Sequence, residues 1–202
     1  MSFLKIPQKT PLLMKPVIFI AEALVGKPLP LARYLSLRPM LALVSALLEL
    51  AVERAVKKLP RRLGSIVRLT ASFRAACPFC VDLNSAGHEK NSLGLDEIAA
   101  LQQACSAVGD LSDFTWPPLS GFTLKEKAAW AYSLSASSSP LYFPPEILAQ
   151  VKKYFSPGQI VVLAVTSVKV NYWARLSQAL GVPALGVSDF CYIPAKDSSR
   201  NH

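Results

Sequence analysis

The sequence predicts an all-α protein, and three observations carry that reading. Apolar residues recur at intervals of three and four along most of the chain, prolines and glycines fall at the ends of those stretches, and no segment alternates apolar and polar residues with period two. The run QIVVLAV (159–165) would pass for a buried strand on its own, but its neighbours keep helical spacing.

The elements follow in order. Pro39 suits the first turn of a helix through MLALVSALLELAVERAVKK, because a first-turn residue has no internal partner for the missing N–H, and Leu59 and Pro60 mark its end. RRLGSIVRLTASFRAA (61–76) reads as a second amphipathic helix with Leu63, Ile66, Val67, Thr70 and Phe73 on one side. Cys77 and Pro78 then open a helix expected to run to about Lys90, ended by Gly94. LDEIAALQQACSAV (95–108) follows. Thr123 to Glu126 is a capping box opening KEKAAWAYSLSA, Pro144 and Pro145 open EILAQVKKYF, and Ser156 and Pro157 open GQIVVLAVTSVKVNYWARLSQAL, stopped by Gly181 and Pro183. No linker, low-complexity tract or strict repeat divides the chain, so residues 1–202 are expected to form one helical domain, with 1–58 as an N-terminal helical extension.

A chain of 202 residues with 51% hydrophobic content and mean hydropathy +0.32 is not disordered. It is more apolar than one small soluble domain needs, which implies surface shared in a homo-oligomer or, less in keeping with the rest, a peripheral membrane contact. The uncharged runs 39–48 and 154–168 fall short of the roughly 18 to 20 apolar residues of a spanning helix. Near the N-terminus, Glu22 interrupts the apolar stretch PVIFIAEALVG, Lys15 and Pro16 precede it, and no cleavage context of small residues follows. A secretory signal is therefore not expected, and a cytoplasmic location is. The net charge of +9 is uneven: residues 1–76 carry 13 Lys or Arg against 3 Asp or Glu, and the remainder 9 against 10. No aromatic-interleaved basic strand or DNA-binding pattern accompanies the surplus, so nucleic acid is not an expected partner. A solvated basic face meeting acids of a neighbouring subunit is the expected reading.

The chemistry concentrates in ACPFCVDLNSAGH (76–88). Residues three apart on a helix share a face, so Cys77 and Cys80 come within disulfide range, and the unpaired N–H groups of a helix N-terminus favour a thiolate. The pair is expected to face a mainly apolar pocket. Asn84 falls about 40° round that helix from Cys80, and His88 about 80° round and two turns away. Zinc commonly takes four ligands, and only His88 lies near the pair, while Cys105 and Cys191 are isolated and His202 is terminal; no metal site is expected. Two buried thiols acting as small hydrophobes are the plain structural alternative to a redox pair. Cys105 and Cys191 read as packing or loop residues.

LPRRLGSIVRLTASFRAACPFCVDLNSAGHEKNSLGLDEIAAL resembles the core of the alkylhydroperoxidase D-like family, also called the carboxymuconolactone decarboxylase family. LKEKAAWAYSLSASSSP, YFSPGQIVVLAV, VNYWARLSQALGV and the late FCYIP resemble its longer members. The resemblance implies an all-helical fold, homo-oligomers, no cofactor, and hydroperoxide reduction at the CxxC, with Cys80 as peroxidatic thiol, Cys77 as resolving thiol and an external dithiol as reductant. The peroxidase members also place a glutamate twelve residues before the first cysteine and a histidine four after the second, as a proton relay. Here those positions are Ser65 and Asn84, neither a base near neutral pH, although asparagine still donates hydrogen bonds. His88 is the alternative base on offer and reads better as a surface or interface residue. Nothing presents the charged cluster that a dicarboxylate lactone calls for, so decarboxylase chemistry ranks low. Two expectations from different classes follow: a thiol-dependent peroxidase or disulfide oxidoreductase, or a non-catalytic helical oligomer on the same scaffold.

Overall fold

The structure is a computed structural model that describes residues 5–8 and 10–190. Those residues form α-helices and short 3₁₀ turns, with no strand among them: α1 (Lys15–Val25), α2 (Pro30–Leu35), α3 (Pro39–Val56), α4 (Arg61–Arg74), α5 (Pro78–Ser85), α6 (Leu95–Ala107), α7 (Leu124–Ala136), α8 (Pro145–Tyr154) and α9 (Pro157–Ala179). The helical punctuation is where the sequence puts it. Pro39, Pro145 and Pro157 sit in first turns, and Thr123 Oγ1 accepts the Glu126 N–H while Glu126 Oε2 accepts the Thr123 N–H.

α4 is the hub. It packs on α5, α6, α7 and α9, and α7 in turn packs on α8 and α9. Its apolar side presents Leu63, Ile66, Val67 and Phe73 to a core that also holds Leu101, Trp130, Leu134, Ile147 and Leu163. Each fully buried aliphatic of this size contributes roughly 1.5–3 kcal/mol relative to exposure. Small residues let the central helices approach. Ser133 donates to the Val67 carbonyl (2.9 Å) and receives a bond from the Ser167 hydroxyl (3.0 Å), while a Cβ added at Gly64 would stand 2.8 Å from Val56 Cγ1 at the end of α3. Cys105 packs in this core, where burial pushes its thiol up to about 12.

The N-terminal helices form a cap. α3 lies on α9, α2 bridges α1 and α3, and Met14, Ile18 and Ala42 make a small apolar cluster between them. Two expectations need correction. The helix after the cysteines stops at Ser85, not near Lys90, because Ala86 turns extended and Gly87 takes a left-handed φ of +65°; His88–Asn91 is a separate 3₁₀ turn. Gly94 is consequently the N-cap of α6, its N–H bonded to Glu97 Oε2 (2.9 Å), and not the end of the preceding helix. Cys191, His202 and most of FCYIP lie outside the described residues.

Candidate active site: a dithiol at the wall of an apolar cavity

The chain leaves α4 through Ala76, whose φ of +48° is left-handed, and the Cys77 N–H then bonds back to the Ser72 carbonyl (3.2 Å). Cys77 is thereby the N-cap of α5 and Pro78 its first residue. Cys77 Sγ takes the capping role, accepting the Cys80 N–H (3.3 Å). The two sulfurs stand 2.8 Å apart as buried free cysteines in hydrogen-bond contact.

Hydrogen bonds and burial set the two sulfurs apart. Beside Cys77 stand the Cys80 thiol, the Ser177 hydroxyl (3.4 Å between oxygen and sulfur), the Cys80 N–H and the Gln178 amide, which also donates to the Ala75 carbonyl (2.7 Å). The Cys80 thiol first, and then these groups, outweigh the burial that would raise Cys77 and push it down to about 6. The same hydrogen bond, with burial and the charge on Cys77, holds Cys80 well above the ordinary thiol range. The pair therefore titrates as a unit.

The thiols do not share one environment. Cys80 lines a cavity of about 370 Å³, while Cys77 sits behind it against α9. Side chains of α1, α2 and α3 close the cavity with Phe79 and Leu83 of α5, so the N-terminal extension is part of the site. Its surface is aliphatic apart from Glu49, Phe79, Cys80, Asn84, Lys169 and the Trp173 ring. Those groups are tied down. Lys169 Nζ, only 5% exposed, bonds Glu49 Oε1 (2.8 Å) and Glu53 Oε1 (2.9 Å), Trp173 Nε1 donates to Glu49 Oε2 (2.7 Å), and Arg68 holds both Glu53 oxygens at 2.7–2.8 Å. Burial alone would raise Glu53, but Arg68 and then Lys169 hold it below the usual carboxylate range.

Of the three supporting positions, Asn84 alone is at the cavity, donating to Ser72 Oγ (3.0 Å) and the Cys80 carbonyl (2.9 Å). Ser65 is buried two turns before Ser72 on α4, and Ser72 is the α4 residue that Asn84 bonds. His88 lies off α5, in the 3₁₀ turn, with Nδ1 2.8 Å from the Leu93 carbonyl. Sequence reasoning passed over two groups. Asp82, two residues after Cys80, accepts the N–H groups of Leu185, Gly186, Val187 and Ser188 at 2.6–3.3 Å, clasping the segment after α9; Lys27 donates to the Leu185 carbonyl (3.0 Å) and to that of Gly186. The other is the pair of Ser177 and Gln178, one helical step apart. The available signal was a lone acid in CVDL and a lone cation, Lys169, in the apolar part of α9.

No family model and no curated protein matches the chain. Solved structures do. A peroxidase-related protein from Ralstonia eutropha with an alkylhydroperoxidase AhpD core superposes with a TM-score of 0.72 over 96% of this chain and 98% of its own, at 13% identity. The debrominase Bmp8, in a cysteine-to-alanine form bound to 2,3,4-tribromopyrrole, gives 0.69 over 90% and 92%, at 19% identity. A protein of unknown function from Agrobacterium tumefaciens bearing the AhpD label gives 0.60 over 75% and 94%, also at 19% identity. With its hub helix, its CxxC at the start of α5 and this agreement along nearly the whole chain, the protein has the alkylhydroperoxidase D-like helical fold.

Proposed function

We propose that the protein is a thiol-dependent oxidoreductase that reduces an apolar hydroperoxide at Cys80 and is regenerated by an external dithiol. The observation that supports this best is the placement of the dithiol: Cys80 meets the cavity, and Cys77 stands behind it, its sulfur 2.8 Å from that of Cys80.

That placement supplies what the substituted relay positions lack. The Cys77 thiolate takes the proton of the Cys80 thiol across the short contact. Cys80 sulfur attacks the outer oxygen of the hydroperoxide, the O–O bond breaks, and the alkoxide takes the proton from Cys77 and leaves as alcohol. Cys77, again a thiolate, attacks the Cys80 sulfenic acid, the S–O bond breaks, and hydroxide leaves to become water with a solvent proton. The external dithiol reduces the disulfide by exchange and restores both thiols. Overall one hydroperoxide and one dithiol give alcohol, water and the oxidised dithiol.

The similarity to a debrominase supports a second substrate class for the same pair. A thiolate and a thiol hold the two electrons and the single proton needed to turn an aryl bromide into arene and bromide, leaving a disulfide. One experiment separates the readings: a small organic hydroperoxide or a bromopyrrole is offered with an external dithiol, and alcohol or bromide is measured. The expected result is hydroperoxide turnover that Cys80→Ser abolishes, with Cys77→Ser giving at most a single turnover when no thiol is added and leaving a Cys80 sulfenic acid that is trapped for mass spectrometry. Unchanged turnover in Cys80→Ser refutes the reading by placing the chemistry elsewhere, and no turnover with either substrate refutes it in favour of the non-catalytic scaffold.

A further inference from the structure

The helices that close the cavity are apolar on their outer sides as well. On α1, Ile18 points inward while Phe19 and Ile20 are 73% and 59% exposed, and Leu13 just before it is 87% exposed. On α3, Ala42, Ser45, Val52 and Val56 are buried, whereas Met40, Leu41, Val44 and Leu47 are all more than half exposed. Exposed cations flank these patches: Lys15 on α1, and Arg38, Arg54, Lys57 and Lys58 around α3. The carboxylates of α1, α2 and α3 are Glu22, Glu49 and Glu53, and each is bonded to a cation of this chain: Glu22 to Arg33, Glu49 to Lys169, and Glu53 to Arg68 and Lys169. α9, on which α3 lies, carries no acid at all.

We propose that the outer faces of α1 and α3 dock on an anionic lipid bilayer, lying in the interface without crossing it. Large apolar side chains rimmed by lysine and arginine are what an interfacial helix presents, the apolar part entering the acyl boundary and the cations meeting negative headgroups. Charge selects this occupant over a second copy of the chain. Two copies joined through this face would match apolar to apolar but set cations against cations, with every carboxylate of the cap already engaged within its own chain. Among the described residues no helix is long and apolar enough to cross a membrane.

Flotation of the full chain with vesicles tests this, using phosphatidylcholine alone and phosphatidylcholine with about 30% phosphatidylglycerol. The expected result is binding to the anionic vesicles, little to the neutral ones, and a marked loss between about 0.1 and 0.5 M salt. Reversing two cations with Lys57→Glu and Lys58→Glu is expected to weaken binding at least about tenfold. Phe19→Ser with Leu47→Ser weakens it comparably, while Leu124→Ser, an exposed leucine outside this face, does not; circular dichroism verifies that each variant keeps its helices. No binding to either vesicle, or equal and salt-independent binding to both, overturns the proposal. So does a homo-oligomer in sedimentation that Phe19→Ser with Leu47→Ser dissolves, since the face then belongs to a second copy.

Discussion

α7 and α3 are both apolar helices, yet α7 buries eight successive residues, Ala128 to Ser135, whereas α3 buries four of its eighteen. In the bundle, apolar character is spent on packing: α7 is enclosed by α4, α8 and α9, and its alanines and serines fit that space. In the cap, the inner side of each helix shapes a cavity and the outer side stays uncovered. Composition alone does not distinguish these uses. What does is whether a helix has neighbours all round it.

The largest test of this contrast is paired. Leu134→Ala, in the core, is expected to lose about 2–5 kcal/mol of unfolding free energy, and Leu47→Ala, on the outer side of the cap, no more than about 0.5 kcal/mol. Urea denaturation followed by circular dichroism measures both, and equal losses would erase the distinction. The joint between the two regions comes next. Gly64→Ala drives a methyl into Val56 and is expected to cost about 1–3 kcal/mol, and Val56→Ala in the same chain is expected to return part of that loss, because it removes the colliding atom.

The buried cation that ties cap to core gives a comparable effect with a pH signature. Lys169→Met strands Glu49 and Glu53, at an expected cost of about 1–3 kcal/mol, since both carboxylates are about one-third exposed and water screens the loss. The sign follows from linkage. The folded value of Glu53 lies below its unfolded one, so its contribution is full above the ordinary value of 4.5 and is lost as pH falls through the lowered folded value. Stability of the native chain should therefore fall in that acid window, and Lys169→Met should flatten the fall.

The smallest effects lie at the dithiol and leave the fold intact. Ultraviolet titration of the reduced protein should show one thiolate per chain forming below the ordinary thiol range, and Cys80→Ala should move that midpoint upward, because it removes the thiol that donates to Cys77. A midpoint unmoved by Cys80→Ala would dissociate the pair. Asn84→His with Ser65→Glu, which restores the family's relay residues, should raise turnover, but by less than the roughly 10²–10⁴ that a general base brings where none exists, because Cys77 already moves the proton. A gain of that full size would show that Cys77 does not serve as the base.

The helical pattern and its punctuation were legible because helix ends are local events: a proline in the first turn or a Thr–Glu capping box acts within four residues. The length of α5 was not, because its end depends on a left-handed Gly87 that periodicity does not report, and the place of His88 went with it. The cysteine pair was visible from spacing. The polar surroundings of Cys77 were not, because Ser177 and Gln178 come from about a hundred residues away. The cavity was likewise hidden: its walls come from α1, α2, α3, α5 and α9, and no single stretch carries it.

The Asp82 clasp bears on biosynthesis. Its partners, Leu185 to Ser188, lie 103 to 106 residues further along, and Ser177 lies 100 residues beyond Cys77. A chain folding as it leaves the ribosome forms the α4 region early, while the hydrogen bonds that tune Cys77 await α9 and the loop behind it. Until the last part of the chain is made, the two cysteines are ordinary thiols on an incomplete surface. Oxidation before that point would act on cysteines that do not yet have the neighbours the finished fold gives them.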